Sequence, residues 1–226
     1  MTANTPQSAL TGSPGPWAAG GPGLTGWAVR LREIRAADHR TLAGFDRDSA
    51  RNNDPQVGGY RHWAAHRGDP ADSGDDFHFA IEKLRTATLV GSIWVQADAS
   101  ADRFSYGIGI GVHHRRCGYA ADAVATLLAF MFGHRRYREC EVSINGGNFA
   151  SLALHGDLGF HEEGRPRDTE LQCGEVRYPV LMSITADQFA AHHPVLAAAR
   201  GADRRWRGRH GRIRRRGRHW PLDQPR

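Results

Sequence analysis

Apolar and polar residues alternate from Trp27 to Leu31, the pattern of a half-buried strand. Asp38 then opens a helical stretch with Leu42 and Phe45 on one side. Phe77–Glu82 and Leu89–Val95 read as two antiparallel strands joined by a turn over Lys83–Thr88. A third alternating run spans Tyr106–Val112 and passes into His-His-Arg-Arg-Cys-Gly. From Tyr119 the period changes: Val124, Leu127, Leu128, Met131 and Phe132 recur at the spacing of an amphipathic helix. Cys140–Ile144 is a short strand and Phe149–Asp157 a helix. Leu158–Phe160 leads into another strand, and Tyr178–Ile184 is the last. Strands and helices alternate through the middle, which predicts an α/β domain built on a mixed sheet. The polar stretch 46–76, with a short helix around Tyr60–His66, reads as a long loop or a substrate-side excursion.

Composition divides the chain into three. Ten of the glycines and prolines fall in residues 1–26, a segment with too little apolar content to offset chain entropy and expected to be disordered. Residues 197–226 hold 11 arginines against two acids, Asp203 and Asp223. The rest carries 19 basic and 22 acidic residues, so the formal charge of +6 describes a tail and not a fold. This excludes a basic nucleic-acid binder as a reading of the whole chain. It leaves a domain over 27–190, roughly 165 residues, enough for one core of ordinary size. The segment 191–226 is expected to be disordered, its like charges repelling, with weak, salt-sensitive nucleic-acid contact as its remaining role. Three cysteines without a CxxC pair give neither a disulfide framework nor a zinc ribbon, which suits a reducing cytoplasm. No apolar run is long enough to span a bilayer, and the first residues lack the charge and apolar block of a signal peptide.

The candidate chemistry begins in the run Tyr106–Val112. Gly107, Gly109 and Gly111 share one face of that strand, which marks close approach of a ligand or tight packing by a neighbour. The segment Arg115–Ala120 joins it to the amphipathic helix. Small residues there let backbone N–H groups converge at a helix start, which suits a phosphate, and Arg115 adds a cation with bidentate reach. Neither a P-loop nor a dinucleotide fingerprint is present.

These residues resemble the GNAT superfamily of N-acetyltransferases. Arg115, Gly118 and Ala120 match its Q/R-x-x-G-x-G/A signature after a strand. Asn148, Ser151, Leu154, Gly159 and Phe160 match its second block. The opening VRLREIRAADHRTL, the stretch FAIEKLRTATLVGSI and the continuation from Gly159 are similar to the ribosomal-protein alanine acetyltransferase (RimJ/RimL-like) branch. The resemblance covers about residues 27–190 and implies the GNAT fold, a central, mostly antiparallel mixed sheet flanked by helices. It also implies acetyl-CoA as co-substrate, with the pantetheine arm along Ile110 and Val112. The pyrophosphate would lie on the turn of Arg115, Arg116, Cys117, Gly118, Tyr119 and Ala120, with Asn148 and Ser151 alongside. The implied reaction is direct attack of a primary amine, from a protein N-terminus or a small molecule, on the thioester. No metal is implied, and the chain would act as a monomer or homodimer. A non-catalytic acyl-CoA sensor, or a ribosome- or nucleic-acid-associated protein acting through the arginine tail, are the competing classes.

The proton carriers are less sharply marked. Where many family members have Tyr, seven residues after the block's Asn, this chain has His155, whose imidazolium would protonate the leaving thiolate. Glu141 and Ser143 share a strand face before Asn148, and Glu141 is the candidate base, with Glu82 another. The pairs His113-His114 and His192-His193 read as solvated residues and not a metal site. Cys117 reads as a small side chain, and Asp69, Asp72, Asp75 and Asp76 as an acidic loop able to attract a cationic amine.

Overall fold

Val29 and Leu31 turn into the core while Arg30 between them points the other way, and this alternation defines β1 (Val29–Glu33). It pairs antiparallel with β2 (Phe77–Lys83), Leu31 opposite Ile81 and Arg30 opposite Glu82. The computed structural model describes residues 24–51, 77–98, 101–164, 170–172, 175–177 and 179–196. The polar stretch from residue 52 to 76, with the expected helix at Tyr60–His66 and the four aspartates, lies outside them, as do residues 1–23, Cys173 and the arginine tail from 197.

β3 (Leu89–Asp98) and β4 (Arg103–Ile110) continue the meander, and β5 (Glu139–Asn145) joins it in parallel. β6 (His161–Gly164) pairs with β9 (Pro179–Thr185), which also pairs with β5, giving the order β1-β2-β3-β4-β5-β9-β6. Two three-residue strands, β7 (Glu170–Gln172) and β8 (Glu175–Arg177), form a ribbon of their own. The α-helices that position the site are α1 (His39–Arg51), α2 (Tyr119–Phe130), α3 (Phe149–Asp157) and α4 (Ala186–His192). The expected α/β class with a mixed, mostly antiparallel sheet is what the strands form. No described helix is long and apolar enough to cross a membrane.

One sheet face carries Phe79, Ile81, Ile93, Val95, Phe104 and Tyr106 and is buried with Val124, Leu127 and Leu128 of α2 and with Met131 just after it. The other carries Arg30, Arg32, Glu82, Trp94 and the β4 glycines, and α1 packs against β3 and β4.

Three boundaries differ from the sequence reading. The first strand begins at Val29, where pairing with Lys83 of β2 starts, and the N–H groups of Trp27 and Ala28 before it go to the Asp122 carboxylate. The glycine strand ends at Ile110; Gly111 N–H donates to Val90 and the chain then turns through a 3-10 segment, Val112–His114. The described chain also continues past residue 190. α4 runs to His192 with Phe189 wholly buried, and the rings of His192 and His193 bond the carbonyls of Asp157 and Leu158.

Candidate active site

β4 and β5 are paired only at Arg103↔Glu139 and Phe104↔Cys140. Beyond these positions both strands continue, β4 with β3 and β5 with β9, so the sheet splits down its middle. At the open end β4 passes through Val112–His114 into the turn Arg115–Gly118. Arg116 (φ 57°) and Gly118 (φ 77°) both adopt the left-handed conformation. Glycine takes it freely, whereas Arg116 pays about 1–2 kcal/mol for it. Left-handed residues in such a turn make successive N–H groups converge, the geometry of an anion nest. α2 starts at Tyr119 without a side-chain cap on Gly118, so the nest opens onto helix N–H groups that no capping side chain occupies.

Arg115, Arg116, Cys117 and Gly118 are exposed, and Tyr119 and Ala120 half-buried. Arg115 also braces the turn: its Nε donates to the Ile110 carbonyl at 3.1 Å and its Nη2 to Ser49 Oγ of α1 at 3.0 Å. The Cys117 thiol donates to the Arg115 carbonyl. His114, beside the turn, is held below the ordinary imidazole range by burial and then by the charge of Lys83.

The glycine face divides between packing and open space. A β-carbon at Gly107 would lie 2.2 Å from the Trp94 indole nitrogen, and one at Gly111 2.6 Å from the Phe45 ring. These two glycines therefore make room for side chains of β3 and α1. Only Gly109 of the three has nothing within 4 Å of that position. Ile110 and Val112 beside it are half-buried. The buried indole nitrogen of Trp94 has no hydrogen-bond acceptor among the described residues.

Across the split, Asn148 caps α3, its Oδ1 accepting from the Ser151 N–H at 3.1 Å. One turn on, His155 points inward and is 3% exposed. Its Nδ1 lies 2.7 Å from the Ser151 carbonyl and its Nε2 2.8 Å from the Tyr106 hydroxyl. A carbonyl only accepts, so Nδ1 carries the proton and Tyr106 donates to Nε2. Burial pushes the imidazole below its ordinary range and the phenol well above its own. Both ring nitrogens are thus committed in the neutral form, and an imidazolium at 155 would reverse the Tyr106 bond, with Nε2–H donating to the phenol oxygen, away from any leaving group.

Glu141 is exposed on β5, its Oε1 2.7 Å from Arg103 Nη1 of β4. Ser143 is exposed on the same face. Glu82 has another setting: 2% exposed, it is held between the guanidinium groups of Arg30 and Arg32, and Arg32 also makes a bidentate pair with Asp38. After the opposing cost of burial, hydrogen bonds from Arg32 and Arg30 keep its carboxyl below the usual range. Glu82 therefore ties β1 to β2 as half of a buried ion-pair cluster, which removes it as a free base. His113, exposed, and His114, half-buried, lie before the turn, and no group of three metal-ligating side chains occurs among the described residues.

Two residues with a part in this geometry had no local sequence signal. Asp122, 4% exposed, receives the N–H groups of Trp27, Ala28 and Val29 and anchors β1 to the start of α2. Tyr106 was visible only as the first residue of the glycine strand, and its partner lies 49 positions away.

Comparison with known proteins agrees with this geometry. The chain is 25% identical over 176 residues to the prophage-derived uncharacterized N-acetyltransferase YokL of Bacillus subtilis, covering 75% of this chain and 96% of that protein. The fold matches Mycobacterium smegmatis RimJ in complex with CoA-disulfide, with TM-score 0.61 and 23% identity over 76% of this chain and 90% of that one. It also matches Vibrio cholerae spermidine N-acetyltransferase in complex with CoA and spermine, with TM-score 0.61 and 15% identity over 71% and 97% of the two chains. Residues 28–161 match the Acetyltransferase (GNAT) domain family, and with its split sheet and nest-opened helix the chain belongs to that family of acetyltransferases.

Proposed function

We propose that the protein transfers the acetyl group of acetyl-CoA to a primary amine by direct attack on the thioester. The observation that carries this reading is the Arg115–Gly118 turn, with two left-handed residues before an uncapped helix, at the end of the strand that parts from its neighbour. The N–H groups of Arg116–Ala121 suit the donor's pyrophosphate, with the Arg115 and Arg116 guanidiniums as adjacent cations. Gly109, Ile110 and Val112 would line the pantetheine arm on one side, and Asn148 and Ser151 flank it on the other.

The chemistry requires an amine relieved of its proton, donors for the carbonyl oxygen as it gains charge, and a proton for the departing sulfur. Glu141 is exposed and shares the sheet face of Gly109, and it takes the proton that the attacking nitrogen sheds, through water. Arg103 fixes its carboxylate. His155 contributes by holding Tyr106 at the base of the split, and the sulfur is protonated from solvent. The acceptor is a protein N-terminus or a small amine. Support for both comes from the fold neighbours, which include RimJ, a putative ribosomal-protein-serine acetyltransferase and a spermidine acetyltransferase.

Calorimetry with acetyl-CoA on the wild type and on Gly118→Glu tests the site. The variant puts a carboxylate into the nest at a positive φ, and a protein still folded by circular dichroism should bind no donor. Wild-type affinity in that variant would sink the reading. A panel of amines and N-terminal peptides, followed by release of free thiol, then names the acceptor.

A further inference from the structure

Beside the nest, on the side away from the β4–β5 split, three side chains have no part in the transfer. Trp27 is 76% exposed, unusual for a tryptophan whose backbone is held so firmly. Its N–H is bound by buried Asp122, and its indole Cζ2 comes within 3.5 Å of where a Gly118 β-carbon would sit. Leu84 N–H donates to the Ala28 carbonyl, which brings the end of β2 alongside. There Lys83, the chain's only lysine, holds its ammonium 5.1 Å from the centre of the Tyr119 ring, and Tyr119 directly follows Gly118. No carboxylate pairs with Lys83 among the described residues.

We propose that Trp27 and Lys83 bind the 3′-phosphoadenosine end of the donor, Trp27 stacking on the purine and Lys83 contacting the 3′-phosphate. This rests on the acetyl-CoA reading of the Gly118 turn and extends it from the pyrophosphate outward. A pyrophosphate in the nest leaves two directions for the rest of the donor: the pantetheine arm takes the split, and the nucleoside takes the opposite side. That side presents what a nucleotide requires, an exposed flat ring and a cation with no carboxylate partner among the described residues. An aromatic face accepts any base by stacking, and an ammonium on a flexible stem acts on phosphate as a point charge. The Asp122 clamp gives Trp27 its value here, because a main chain already held in place leaves only the side chain to order on binding.

Binding to the full chain of CoA, 3′-dephospho-CoA and 4′-phosphopantetheine, measured by calorimetry, needs no knowledge of the acceptor. Trp27→Ala should reduce the preference for CoA over 4′-phosphopantetheine by about tenfold, and Trp27→Phe should restore most of it. Lys83→Ala should reduce the preference for CoA over 3′-dephospho-CoA by about fivefold. A merely structural loss would weaken all three ligands together and leave both ratios in place. A Trp27→Ala ratio within twofold of wild type overturns the stacking, and a Lys83→Ala ratio within twofold overturns the phosphate contact. A wild-type chain that binds none of the three overturns the acetyl-CoA reading itself.

Discussion

Removing the Asp122 carboxylate should be among the most damaging single changes outside the apolar core. Three main-chain N–H groups, of Trp27, Ala28 and Val29, converge on it at 3.0, 2.8 and 2.9 Å, and the bond to Val29 is fully buried. Asp122→Ala leaves all three donors facing the space the carboxylate filled. An orphaned buried donor costs about 1–3 kcal/mol. Trp27 lies at the surface and its N–H can regain water, so Ala28 and Val29 set the bill at about 4 kcal/mol in total. For a domain of this size that lowers Tm by about 8–16 °C. Ala28 and Val29 share one carboxylate oxygen, so Asp122→Asn can keep its amide oxygen there and turn its NH2 only toward Trp27, and it should recover more than half of the loss. Urea unfolding followed by circular dichroism gives the free energy, with the m-value checked for constancy. If both variants unfold within 1 kcal/mol of wild type, β1 is held by its strand pairing and side-chain packing, and the clamp is incidental.

Two further outcomes follow from the same geometry. The folded-state pKa of His155 lies below its unfolded 6.5, so the stability it confers is complete above pH 6.5 and is lost as pH falls through the lower folded value. Unfolding free energies at pH 7, 6 and 5 should therefore fall more steeply for wild type than for His155→Gln, and coincident slopes would contradict a buried neutral imidazole. Ending the chain after Ala190 removes the bonds of His192 and His193 to the carbonyls of Asp157 and Leu158 and frays the helix that seats Phe189. That truncation should cost about 1–3 kcal/mol by thermal denaturation, whereas ending after Leu196 should cost under 0.5.

The elements that local physics specifies were legible. α2 and α3 begin where the sequence places them, because a glycine turn and an Asn148 cap mark their starts and an apolar period of 3.6 marks their bodies. The strand alternation was equally plain, since each inward residue meets the same core. What could not be read depends on partners far along the chain. Three glycines on one strand look alike in sequence, yet Trp94 fills the space at one and Phe45 at another. Glu82 looks like any carboxylate at a strand end until β1 brings two arginines onto it. His155 has the spacing of a proton donor, and only the fold supplies the phenol that occupies it. The nest was foreseeable because its residues are contiguous; Asp122 was not, since its three donors lie more than 90 positions upstream.

An ordinary open sheet has two edges, and β1 and β6 supply them here. The parting of β4 from β5 after Phe104 and Cys140 creates two more, facing each other inside the protein. Strand edges are normally a hazard, because they template pairing with other chains, and most folds cover or charge them. Here the hazard is confined to an opening between two strands joined at one end, with the stacked rings of Tyr106 and His155 alongside. Protein aggregation through these inner edges would require a second polypeptide to enter there in extended form. The same pair of edges turns amide hydrogen exchange into an occupancy gauge: main-chain N–H groups that no strand protects should slow only when something lies between them.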